Sequence, residues 1–216
     1  MMKFFLLILI TIVFISCSVK EEPNAWQYRS ANSFASYKEN FLSDKTLLAK
    51  SDLEHAVMDA KQSADMSTLA KIYLGKCALN ISVGIDDRCK EYQEIANIVQ
   101  SRELDAYYDF ILNQATPSER DSLESDYKKL ALLLEKEKYE EANSYIFKMQ
   151  RVSSTLLSGA LMHENLNRVS REKLLNLASH YGYKKAVLFW LFEQKKYALT
   201  QKEVAKIDKK IEVLTK

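Results

Sequence analysis

The chain has few of the residues that interrupt regular structure: four glycines and two prolines in 216 residues. That leaves little punctuation for the many short strands and tight turns of an all-β fold, and no glycine-rich phosphate loop is present. Histidine is also scarce, at three copies. His163-Glu164 begins like the helical zinc-protease motif, but Asn167 stands where the second histidine should be, so that motif fails. Ser125-x-x-Lys128 and Ser170-x-x-Lys173 have the spacing of a serine–lysine acyl enzyme without its Ser-Asp-Asn or Lys-Thr-Gly elements. Gly-x-Ser-x-Gly is absent. No block of five or six like charges occurs and the formal net charge is only +2, so no nucleic-acid partner is expected. No cofactor or metal is expected either.

Long apolar runs are missing too. The longest, Phe4 to Ile15, has twelve residues, whereas a helix crossing a bilayer needs roughly 20. Lys3 before the run and the small Ser16 after it complete the layout of an export signal. A simple cut after Ser16 would put Phe14 at the third position from the end, where a small residue is wanted. The polar chain then starts at Cys17.

Phe14-Ile15-Ser16-Cys17 resembles the lipobox of a bacterial lipoprotein precursor, with Phe14 where that family usually has an aliphatic residue. The resemblance implies lipidation of Cys17, with residues 1–16 a signal peptide, 17–24 the lipidated cysteine and a short tether, and 25–216 a single helical domain. Two or three acyl chains make a lasting anchor where one is marginal, at about 0.8 kcal/mol per buried methylene. Ser18 after the lipid cysteine, rather than Asp, resembles sorting to the outer membrane. The other reading is an ordinary secretory signal cut after Ser18. A helix starting near Ala25 leaves a tether reaching at most roughly 25 to 30 Å.

Setting Cys17 aside leaves Cys77 and Cys89, an even pair that in an exported chain points to a disulfide. Two buried free thiols are the alternative; zinc would need further ligands, and no histidine lies between them. Cys77 is expected to end one helix and Cys89 to begin the next.

Apolar residues recur at three and four, which predicts an all-α fold of roughly nine to eleven short helices. The clearest stripes are Leu123, Tyr127, Leu130, Leu134; Tyr139, Ala142, Ile146, Met149; Tyr183, Ala186, Trp190, Leu191; and Val204, Ile207, Ile211, Leu214. Each reads as one buried helix face. Capping boxes are expected at Thr116–Glu119, Thr200–Glu203 and Ser51–Glu54, single caps at Asp65 and Ser170, and a left-handed helix end at Gly182. The segment around His55–Gly75 looks like that around Lys173–Glu193 at an offset of 118. ALLLEKEKYEEANSYIFKM, residues 131–149, resembles a tetratricopeptide-type hairpin, which implies a TPR-like or irregular α-solenoid or bundle.

Chemistry-bearing candidates are few. Asp86-Asp87 reads as a helix-start cap and Glu140-Glu141 as a solvated face, each with an acid–base role as the rival. Tyr107 and Tyr108 are adjacent, so one is expected to be exposed, and Trp190 reads as core. These features point to a membrane-anchored envelope lipoprotein that is not an enzyme and binds an envelope protein as an assembly or adhesion factor. The alternatives are a cell-wall-active enzyme with an unrecognised carboxylate pair and a structural or immunity-type lipoprotein.

Overall fold

The computed structural model describes residues 24–216; Phe14, Ile15, Ser16 and Cys17 lie outside the described residues. The fold is all-α, with twelve α-helices among the described residues: α1 (Ala25–Leu42), α2 (Thr46–Gln62), α3 (Met66–Ser82), α4 (Lys90–Val99), α5 (Arg102–Ile111), α6 (Pro117–Arg120), α7 (Ser125–Glu135), α8 (Tyr139–Tyr145), α9 (Val152–Met162), α10 (Arg168–His180), α11 (Lys184–Lys196) and α12 (Gln201–Thr215). Short 3₁₀ turns follow α8 and α9. None of these helices is long and apolar enough to cross a membrane.

Four hairpins share one three-residue turn. In α1–α2, α2–α3, α7–α8 and α10–α11 the middle residue is left-handed: Asp44, Ala64, Glu137 and Gly182, with φ of 65°, 55°, 53° and 68°. In each, the next amide reaches back across the helix end: Lys45 to the Asn40 carbonyl at 2.8 Å, Asp65 to Ala60 at 3.2 Å, Lys138 to Leu133 at 2.9 Å, and Tyr183 to Ala178 at 3.0 Å. This satisfies carbonyls that a helix end leaves open. The same residue then starts the following helix, so the partner runs back antiparallel. Ala64 and Gly182 are equivalent at the offset of 118.

The hairpins do not open into a solenoid. α11 returns to α1, where the Tyr183 hydroxyl donates to Glu39 at 2.9 Å and Lys185 pairs with Asp44 at 3.5 Å. The hub is α9, in which eight of the eleven residues are buried. Gly159 permits its approach to α10 and α11: a Cβ there would lie 2.6 Å from Leu174 Cδ1 and 3.1 Å from the Trp190 ring. Trp190 is fully buried, and a large apolar side chain so placed contributes about 1.5 to 3 kcal/mol.

Cys77 and Cys89 are joined as a disulfide with their Cα atoms 5.3 Å apart. Helix α3 runs past Cys77 to Ser82, because Leu79 continues its buried face, so Cys77 does not end the helix as expected. Cys89 is the left-handed residue preceding α4.

Other local expectations are corrected by the hydrogen bonds. Ser51–Glu54 lies inside α2, which begins at Thr46 directly after the turn. Ser170 does not cap α10; Asn167 does, accepting from the Ser170 amide at 2.8 Å. The Thr116–Glu119 box forms around Pro117, Asp65 caps α3 through the Thr68 amide at 2.8 Å, and Thr200 accepts from the Glu203 amide at 3.2 Å. Ile146 falls in a 3₁₀ turn rather than a helix, though it is fully buried. The largest departure is α12, in which no residue is buried: Val204, Ile207, Ile211 and Leu214 are only half covered.

Candidate functional site

The carboxylates singled out from the sequence hold structure together. Asp87 accepts from the Cys89 amide at 2.8 Å and from the Asn80 side chain at 2.6 Å, while Asp86 pairs with Arg88 at 3.2 Å. Glu141 pairs with Lys138 at 2.7 Å and Glu140 accepts from Asn167 Nδ2 at 3.3 Å. Lys128 pairs with Asp121 at 2.7 Å, and Lys173 sits over the Phe147 ring at 5.2 Å. His163 is exposed in a 3₁₀ turn. Tyr107 and Tyr108 are both half-buried, because Tyr107 packs on Tyr127 and Tyr108 on Tyr92; neither is the exposed one expected.

Among the described residues, the grouping close enough to hold a metal is Cys77, Asp87 and Cys89. The two sulfurs are bonded to each other, so neither offers a thiolate and the donor set does not suit a cation.

One carboxylate pair was missed from the sequence. Asp109 on α5 and Glu119 on α6 lie close enough to influence each other's charge. Burial, then the Glu119 charge, pushes the Asp109 carboxyl above its ordinary range. Hydrogen bonds from the Thr116 amide and hydroxyl hold Glu119 below its own. Divergent carboxyls of this kind can serve acid–base chemistry. Here Glu119 also completes the capping box, which accounts for its position.

A cleft of about 510 Å³ opens between α10, the end of α11 and α12, within the roughly 300–1,000 Å³ of small-ligand sites. One wall is a single face of α10: Arg168, Arg171, Glu172, Leu175 and Asn176, at helical spacing. The opposite wall is one face of α12: Glu203, Lys206, Ile207 and Lys210. Gln194, Tyr197, Ala198 and Leu199 close the end.

Local sequence explains how the walls are held. Asn143, buried on α8, donates to the carbonyls of Tyr139 and Asn165, both at 2.8 Å, and accepts from the Asn167 amide at 3.0 Å. It pins the start of α10. Glu203 latches α12 across the cleft, accepting from Arg168 Nη2 at 2.6 Å and from the Leu199 amide at 3.0 Å. These bonds, Arg168's first, hold its carboxyl below the ordinary range.

Arg171 is the anomaly. It is only 6 % exposed, its guanidinium lies 3.6 Å from the centre of the Tyr197 ring, and its buried Nε has no acceptor. None of the ion pairs among the described residues involves Arg171, Lys206 or Lys210. A buried charge without a counter-charge costs several kcal/mol, and cation–π attraction to Tyr197 offsets about 2. The residue was legible in principle, because Arg171 occupies the stripe that continues as Leu174, Leu175 and Ala178.

No protein-family description, curated protein or solved structure matches the chain.

Proposed function

We propose that the protein is a bacterial envelope lipoprotein, anchored by lipid on Cys17 in the outer membrane, whose helical domain binds a protein partner as an assembly or adhesion factor. The observation that carries the binding reading is the open cleft between α10 and α12, with a buried cation that the protein itself does not neutralise. Export is supported by the Cys77–Cys89 bond, since disulfides persist in oxidising compartments. The helical domain starts at Ala25, close behind the proposed anchor, so the domain would work close to its membrane.

Replacing Cys17 by Ser tests the anchor: it should abolish labelling by a fatty-acid analogue and leave an unprocessed precursor. Mature wild-type protein without label would refute it. In-cell crosslinking followed by mass spectrometry tests the partner and should capture one specific envelope protein. The rival wall-active enzyme has the Asp109–Glu119 pair in its favour; wall degradation lost on Asp109→Asn, with no partner captured, would establish it instead.

A further inference from the structure

We infer that the cleft between α10 and α12 takes an acidic segment of the partner, a carboxylate flanked by apolar side chains, and that Arg171 is the residue that receives it. The inference rests on the partner-binding reading and adds the chemistry of the occupant.

Three properties of the cleft converge on that ligand. The first is charge. Arg168, Arg171, Lys206 and Lys210 face Glu172 and Glu203, and the Arg168–Glu203 pair is internally satisfied. Three cations against one carboxylate remain, which favours an anion and attracts it over distance. The second is shape. The Arg171 guanidinium lies against the Tyr197 ring among the residues lining the cleft, and its planar fork of donors matches the two oxygens of a carboxylate. The third is polarity. Leu175 and Ile207 line opposite walls and Leu199, 80 % exposed, stands at the end. An occupant must therefore carry apolar groups beside its charge, which inorganic anions lack.

A short peptide segment meets all three requirements. Carboxylates that displace water around Arg171 would supply the counter-charge missing from the fold, and the half-covered apolar face of α12 would gain the burial it lacks alone.

The test is calorimetric titration of the full chain in non-ionic detergent with an acetylated heptapeptide of alternating leucine and glutamate. The same peptide with glutamine for glutamate, octanoate and inorganic phosphate are the comparisons. The acidic peptide should bind at least tenfold more tightly than the glutamine peptide. Arg171→Met should weaken it at least tenfold while the melting temperature stays level or rises, because an unpaired buried charge is replaced by an apolar group of similar length. Lys206→Gln with Lys210→Gln, on the exposed rim, should weaken it severalfold and flatten its salt dependence; this pair carries the test should Arg171→Met fail to fold. Equal binding of both peptides, or unchanged binding by a folded Arg171→Met, overturns the inference. Binding of octanoate or phosphate without the acidic peptide overturns it in favour of a small anion. Repeating the in-cell crosslinking with Arg171→Met separates the two levels: capture retained removes the cleft but keeps the partner, whereas no capture by the wild type removes the partner reading itself.

Discussion

The α3–α4 junction and the α10–α12 cleft are finished in opposite ways. At the first, a disulfide joins Cys77 to Cys89, and Asp87 accepts hydrogen bonds from Cys89 and Asn80. At the second, one surface ion pair spans the gap and a buried guanidinium is left without a counter-charge, its Nε without an acceptor. Every obvious demand of the first junction is met within the chain. The cleft has demands that the chain does not meet, and such leftovers mark where a protein gives up stability for a site.

Opening the closed junction should have the largest effect. Cys77→Ser with Cys89→Ser releases a short loop in the unfolded chain, and the expected loss is about 3 kcal/mol on the loop-entropy account. Chemical denaturation measures it. Peptide binding at the cleft should be unchanged if the junction is purely structural; loss of both together would erase the distinction between the two regions.

The cleft end has its own staple, polar rather than covalent. Asn143→Ala removes two donated bonds and one accepted bond and leaves the half-buried Asn167 amide unpaired. The expected cost is about 2 to 3 kcal/mol. Hydrogen exchange should rise most at the start of α10, and the peptide affinity should fall with it. A uniform loss of protection across the molecule would show that Asn143 supports the whole fold rather than this wall.

The two regions also differ in how far they could be read from sequence. Helical periodicity located the stripes because burial selects side chains by face, and the cysteine pair was marked by its number and its export context. Gly182 was legible as a left-handed end, whereas Ala64, in the equivalent turn, was not: alanine carries no sign of a positive φ. Asp44 and Glu137 were hidden in the same way. The cleft depends on things a stripe cannot express. Val204, Ile207, Ile211 and Leu214 repeat like any buried face, and only tertiary packing decides that α12 seats half-covered. Asn143 beside Ala142 and Arg171 before Leu174 were polar residues on apolar stripes. Both interrupt the apolar pattern of their helices, and both shape the site. Asp109 and Glu119 lie ten positions apart on different helices, so no local spacing pairs them.

The smallest expected effect concerns the latch. Glu203 accepts from Arg168 and from the Leu199 amide, and these bonds favour its charged form, so its carboxyl titrates below the ordinary 4.5. A carboxyl held low in the folded state lends stability that is complete above its unfolded value and is lost as pH falls through its folded value. The ion pair is exposed, so the loss should show as local loosening of α12 rather than as global unfolding. Amide protection factors, corrected for the slower intrinsic exchange in acid and measured on descending pH, should therefore fall in α12 once the solution passes below 4.5, while α3 and α4, tied by the disulfide, keep theirs. Glu203→Gln should bring α12 to the loosened level at neutral pH and remove its response to acid. Equal loss of protection in α12 and α3, or an unchanged acid response in Glu203→Gln, would mean that α12 is held by its half-buried apolar face and the Lys195–Asp208 pair rather than by the latch.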